Sequence, residues 1–338
     1  METPLEKLTL HGDRRRRLLT TAAAGAIVPT WTATAQAQAI PEPRPVALRV
    51  VDGVYMVPGG VGEVDASNQG RVGNAGFIVG ASGVLVIDTG TSYRQGQALL
   101  QLVRRTTQLP IRMVLVSQAR QEFLFGATAF QEQGIPVLMH ADAANLMRAR
   151  CARCLETLQH VWGDELMRQT AVPIPDQTFV GDLWLPDWGR QVRVLDFGHA
   201  SGPGTVAVWD VASGVLFAGG LVDHLRVPDV QDSKLPGWLA GLQALQGLPL
   251  RYVVGGHGKL GTVAAVRAAQ DYLEGLQQRV AALLRAGTSL RHVAAAADLP
   301  TYRHWDQYAQ MHPRNASVLF LRLEQDQLST SEAEEGRP

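Results

Sequence analysis

Apolar and polar positions in the first half of the chain spell short strands separated by turns. Two apolar runs within residues 48–57 flank Asp52-Gly53, a dipeptide that favours a hairpin. Residues 74–80 and 84–90 repeat the pattern around Ser82-Gly83, and the second run ends in Ile87-Asp88-Thr89-Gly90. Helical spacing takes over at residues 93–107, with Asp88 placed to cap that helix. A buried-type strand, Met113 to Val116, leads into a polar turn and a helix-like segment after Gly126. A strand at 137–140 and a long helix over 141–167 follow. Pro and Gly then separate strands at 177–185, 191–196, 205–209 and 215–218. Leu250 opens a further strand that ends in the turn Gly256-His257-Gly258. Residues 262–286 form an amphipathic helix with Val266, Ala269, Leu273, Leu276, Val280, Leu283 and Leu284 near one face. The acidic, Ser-containing stretch 326–338 reads as a disordered tail.

Composition narrows the class. With 46% apolar and 18% charged residues in a 338-residue chain, most of the sequence should be globular. Acidic and basic residues balance at 31 each, which argues against a broad polyanion-binding surface and against nucleic acid as partner. Residues 1–39 look like an export signal. Arg14-Arg15-Arg16-Arg17 precedes Leu18-Leu19, a weakly apolar run reaches Val28, and small residues offer cleavage after Ala37 or Ala39. The arginine pair followed by Leu-Leu resembles a twin-arginine signal, so the expected location is the periplasm of a Gram-negative bacterium. The apolar run is too short for a membrane span of about 20 residues. The expected organisation is a signal at 1–39, one domain at 40–325 and the tail at 326–338.

Chemistry should concentrate where the strand ending at Val116 turns. Ser117, Gln118, Arg120 and Glu122 follow it closely, then Phe123, Gly126 and Phe130. This frame, together with the Ile87-Asp88-Thr89-Gly90 tip, the hairpin from Val206 to Gly220 and His257-Gly258, resembles the metallo-β-lactamase fold. The resemblance spans about residues 48–325 and implies an α/β architecture, a four-layer αββα sandwich. Val227-Pro228, Gly237-Trp238-Leu239 and His312-Pro313-Arg314-Asn315 are most similar to the quinoprotein relay system zinc metallohydrolases and sulfur-oxidation-associated proteins of that superfamily. These are predicted hydrolases, often encoded near pyrroloquinoline-quinone dehydrogenases, so the expected partner is a small molecule or a periplasmic protein of such a system.

The resemblance also implies a zinc site, and this sequence departs from it. Gln118, Arg120, Glu122 and Phe123 stand where the family has His, His, Asp and His. Ser201 falls at the next ligand position, although a two-residue slip would bring in His199, and Gly220 replaces a bridging Asp. His257 matches the last ligand. Glu122 and His257 alone are too few for catalytic zinc. No metal or other cofactor is therefore expected, with zinc on Glu122 and His257 as the alternative. Arg120 could stand in for the dication by pairing with Asp88 and Glu122, or could point to solvent. Three functions remain: a non-hydrolytic binding protein, a hydrolase using His257 or His199 as base with Ser201, or thiol chemistry at Cys151 and Cys154. Those two cysteines are compatible with a disulfide, a redox dithiol or plain thiols.

Overall fold

The computed structural model describes residues 44–65 and 67–335. The export-type segment of residues 1–39 lies outside them. The chain first builds β1 (Leu48–Val51), β2 (Val54–Val57), β3 (Ala75–Val79), β4 (Val84–Ile87), α1 (Tyr93–Thr106) and β5 (Ile111–Val116). The short helices α2 (Gln121–Leu124) and α3 (Ala127–Gln131) follow, then β6 (Val137–His140), α4 (Ala141–Leu166) and β7 (Gln177–Phe179). These seven strands stand side by side in chain order. Pairing is antiparallel from β1 to β4 and parallel from β4 to β7. Each parallel step carries helix between its strands, as parallel connections require.

A second sheet holds β8 (Leu183–Trp184), β9 (Val192–Asp196), β10 (Val206–Asp210), β11 (Val215–His224) and β12 (Tyr252–Gly258), in the order β12-β11-β10-β9-β8. The helices α5 (Leu235–Gln246), α6 (Val263–Arg285), α7 (Leu290–Ala296) and α8 (Tyr308–Glu335) complete the order.

Three apolar clusters show how the layers stack. Ile78, Leu85, Ile87 and Leu115 of the first sheet meet Val194, Val208, Phe217 and Val254 of the second. On the outer face of the first sheet, Val86, Val114 and Val116 pack with Leu99 and Val103 of α1 and Met147 of α4. On the outer face of the second, Leu216, Ala218 and Val253 pack with Leu242 of α5, Leu273 of α6 and Phe320 of α8. This is the expected αββα arrangement, in which each sheet is buried on both faces.

Four local expectations change. Ser92, not Asp88, caps α1, its side chain accepting from Gln95 N–H. The run 177–185 divides between the sheets as β7 and β8, with Gly181 at φ +76 in the link, a conformation that costs glycine little. Strand β11 does not stop at Ala218 but runs on to His224. Helix α8 continues through much of the expected tail to Glu335, because adding Glu and Ala to an existing helix needs no new nucleus.

Candidate functional site

The ends of β4, β5, β9, β11 and β12 converge, and the groups there divide into two halves. The first begins with Asp88 at the tip of β4, a buried non-glycine residue at φ 56. Its carboxylate accepts hydrogen bonds from Ser117 N–H and Ser117 Oγ, both at 2.8 Å, and so ties the tip of β4 to that of β5. Burial pushes the Asp88 carboxyl up to about 7; the two Ser117 hydrogen bonds oppose this and the nearby Glu122 charge adds to it.

Gln118 is buried just after β5, and its Oε1 accepts from Ser201 Oγ at 3.3 Å. Ser201 Oγ also lies 3.3 Å from Thr205 Oγ1, which donates to the Gly202 carbonyl at 2.7 Å. The carboxamide fills a slot between two glycines. A Cβ on Gly220 would lie 2.0 Å from Gln118 Oε1, and one on Gly202 2.5 Å from its Nε2. Phe123 is fully buried with its ring centroid 5.6 Å from that of His257, and Cβ atoms on Gly73 or Gly256 would come within 2.9 Å of the Phe123 ring.

The second half is built on Asp223 and His257. Parallel pairing of β11 with β12 sets these two residues opposite each other, and Asp223 Oδ1 lies 2.8 Å from His257 Nδ1. Burial alone would raise the Asp223 carboxyl, but His257, by charge and hydrogen bond, and the charges of Arg120 and Arg226 outweigh it and hold the group below its ordinary value. Asp223 is therefore ionised and accepts, so Nδ1 of His257 carries a proton. His257 Nε2 is buried without a hydrogen-bond partner, 3.5 Å from Glu122 Oε1. That separation is too long for a hydrogen bond.

Arg120 immediately precedes α2, and its Nη2 donates to the Asp229 carbonyl at 3.0 Å. Burial alone would lower its pKa, but the charges of Asp229, Glu122, Asp223 and Asp232 raise it. Arg120, Glu122, Asp223, His257 and Gln307 line one cavity of about 520 Å³, together with Cys151 and Cys154 of α4. Both cysteines are free thiols, and burial, then the neighbouring Cys154, pushes the Cys151 thiol up to about 12.

Several expected meetings do not occur. Arg120 forms no ion pair with Asp88 or Glu122 among the described residues; its side chain reaches the loop at Asp229 while Ser117 occupies the Asp88 carboxylate. Nor does Arg120 simply face solvent. His199 turns away from Ser201, its Nε2 lying 2.7 Å from the Asp232 carbonyl, so no Ser–His pair forms and Ser201 holds the position beside Gln118. Asp223 escaped the sequence reading, because Gly219-Gly220 signalled the end of its strand. The available signal was a lone acid straight after Leu221-Val222. Among the described residues, no group of three or more His, Cys, Asp or Glu side chains is arranged to hold a metal ion.

Two sheets face to face, helices on both outer sides and a cavity at the strand ends define a metallo-β-lactamase-type architecture. The chain belongs to the metallo-beta-lactamase superfamily: the sequence model of that superfamily matches residues 68–257, more than half of the chain. Among solved structures it is similar to a metallo-beta-lactamase from Pontibacter korlensis, at 21% identity and TM-score 0.57, covering 68% of this chain and 99% of that one. It is also similar to the DIM-1 metallo-beta-lactamase exposed to ceftazidime, at 18% identity and TM-score 0.56, covering 70% and 99% of the two chains. For TMB-1 the values are 17% identity, TM-score 0.55, and 69% and 98% coverage. At these identities the likeness is one of fold. No curated protein matches the sequence.

Proposed function

We propose that this chain is an exported superfamily member whose cavity binds a small molecule and which does not carry out zinc hydrolysis. One observation carries the reading. The Gln118 carboxamide is hydrogen-bonded to Ser201 and fills the space that a side chain at position 220 would need. A zinc site asks for imidazoles, thiolates or carboxylates around one open position. The positions that the resemblance assigns to ligands hold instead a carboxamide, a guanidinium, a phenyl ring, a hydroxyl and a glycine. Glu122 and His257 are the remaining donors, with the Arg120 charge close enough to raise the cost of a dication. This donor set does not fit catalytic zinc, and no zinc-dependent step is derived.

Export by the twin-arginine route rests on Arg14 to Leu19 and the small residues up to Ala39. No helix among the described residues is long and apolar enough to cross a membrane. Kinship with the quinoprotein-associated branch rests on the short motifs named above, and would make a periplasmic dehydrogenase system the setting. A second reading, a hydrolase with one metal on Glu122 and His257, is favoured by the closeness of Nε2 and Oε1. Elemental analysis of purified protein, with hydrolysis of generic ester and lactam substrates, separates the two. The binding reading expects zinc well below one per chain and no turnover. Zinc near one per chain with turnover overturns it.

A further inference from the structure

The unspent hydrogen-bonding capacity of the cavity is uneven, and it describes a ligand. Three of the cations around the cavity lie within ion-pair distance of a carboxylate oxygen. Arg150 pairs with Asp232 at 2.5 Å, Arg226 with Asp306 at 2.5 Å, and Arg314 lies 3.9 Å from Asp229. Arg120 differs. Its one hydrogen-bond acceptor is a backbone carbonyl, and among the described residues it forms no ion pair. A guanidinium presents five donors in a planar fork suited to a carboxylate, so most of its donor capacity is unused.

The same cavity is lined by residues with polar atoms that have no hydrogen-bond partner. His257 Nε2 is buried without a hydrogen-bond partner, on a side chain only 4% exposed. Gln307 Oε1 is buried without a partner, on a residue held at φ 64 just before α8. Glu122 accepts no hydrogen bond among the described residues, and its side chain is 11% exposed. Native proteins seldom leave buried polar atoms unpaired, and the usual partner of such atoms in a cavity is what the cavity binds. A carboxylate without a donor, a buried carbonyl oxygen without a donor and a half-spent planar cation on one cavity call for a molecule carrying both N–H donors and a carboxylate.

We infer that the cavity takes a small zwitterion, a free amino acid in chemical class, with its carboxylate on Arg120 and its ammonium on Glu122 and Gln307 Oε1. The inference rests on the small-molecule reading above and names the substance class for it. About 520 Å³ lies within the range of small-molecule sites. A simple carboxylate would leave Glu122 and Gln307 Oε1 unmet, and a simple amine would leave the guanidinium unmet. Each half alone should therefore bind worse than the whole.

The test uses the purified full-length exported protein. Each proteinogenic L-amino acid is screened by thermal shift at about 10 mM and the best is measured by calorimetry. That amino acid is then compared with its deaminated acid and its decarboxylated amine. The expected result is binding of at least one amino acid, with both analogues weaker by about tenfold or more. Glu122→Gln should weaken the amino acid by about tenfold or more while leaving the deaminated acid nearly unchanged, and Arg120→Met should do the reverse for the decarboxylated amine. Glu122→Asp, together with the unfolding temperatures of the unliganded variants, separates lost recognition from lost folding. No shift with any amino acid overturns the inference, as does a deaminated acid or a decarboxylated amine that binds as tightly as the parent. Tight binding of such an analogue leaves the small-molecule reading standing. Zinc content with hydrolysis, measured separately, is what would overturn that reading.

Discussion

The two halves of the site use the same strand ends in opposite ways. Around Asp88, Ser117, Gln118 and Ser201, polar atoms find one another. Around Asp223 and His257, one strong internal contact is made and the groups beyond it, Nε2, Glu122 and most of Arg120, are left facing the cavity. The closed half behaves as a core with polar content, where substitution should cost stability. The open half leaves His257 Nε2 without a partner and Arg120 with one side-chain hydrogen bond among the described residues.

If the first half is a polar core, its largest energetic signature is Asp88. A carboxyl held up to about 7 when folded, against an ordinary 3.8, keeps its proton longer in the folded state. The folded state then binds more protons between those values, so stability falls as pH rises through that window. The full contribution is present below the ordinary value and lost above the folded one, on the order of 4 kcal/mol in all. Asp88→Asn removes this group, so denaturant unfolding should give a variant whose stability relative to the parent climbs from acid to neutral pH. A constant difference between the two proteins would mean that Asp88 is ionised in the fold and that the closed half is electrostatically ordinary.

The next effect tests whether the slot is truly full. Gly220→Asp would place Cβ 2.0 Å from Gln118 Oε1 and bury an unpaired charge, at a cost of about 3 kcal/mol. For a chain of this size that lowers the unfolding temperature by several degrees, readable by calorimetry. Adding Gln118→Gly should recover part of the loss, since the clash is between these two positions. An unshifted unfolding temperature in Gly220→Asp would show the slot to be open, and the contrast between the halves would fail.

How much of this was legible in the sequence follows the same division. The layers were readable because strands such as Val84–Ile87 are buried throughout and sit beside helices with one apolar face. The tie made by Asp88 follows the family resemblance, in which the strand-tip Asp braces the neighbouring turn by hydrogen bonds, and not its position alone. What the sequence hid was anything that depends on direction. Gly219-Gly220 looked like a stop, yet irregular pairing along β11 carries the strand past both glycines to Asp223. Arg120 sits two residues from Glu122 in sequence, but its long side chain turns to the Asp229 carbonyl, a contact 109 residues away that no local pattern encodes. The single apolar run 177–185 conceals a change of sheet for the same reason: period and composition do not say where a chain bends.

On the open half, Asp223→Asn sharpens the claim that His257 is held by a charged partner. Removing the carboxylate leaves a buried imidazole with a neutral neighbour, at a cost of about 2 kcal/mol. Denaturant unfolding should show that loss, and Asp223→Ala should lose at least as much. An Asp223→Ala variant as stable as the parent would imply that Nδ1 has another acceptor and that Nε2 need not be the free atom.

The smallest effect separates a polar core from a disguised catalytic serine. Ser201 Oγ has Gln118 and Thr205 as neighbours, both at 3.3 Å, and no histidine among its hydrogen-bond partners. Long contacts between neutral groups contribute little, so Ser201→Ala should cost about 1 kcal/mol or less. Because the hydroxyl belongs to the closed half, the variant should bind the cavity ligand as the parent does. A serine nucleophile would give the opposite pattern: near-unchanged stability with loss of any ester hydrolysis the parent shows, and loss of labelling by a serine-directed phosphonofluoridate. Mass spectrometry after exposure to that reagent should find no adduct on Ser201. An adduct there would place reactive chemistry in the half assigned to structure, and the division of the site would have to be redrawn.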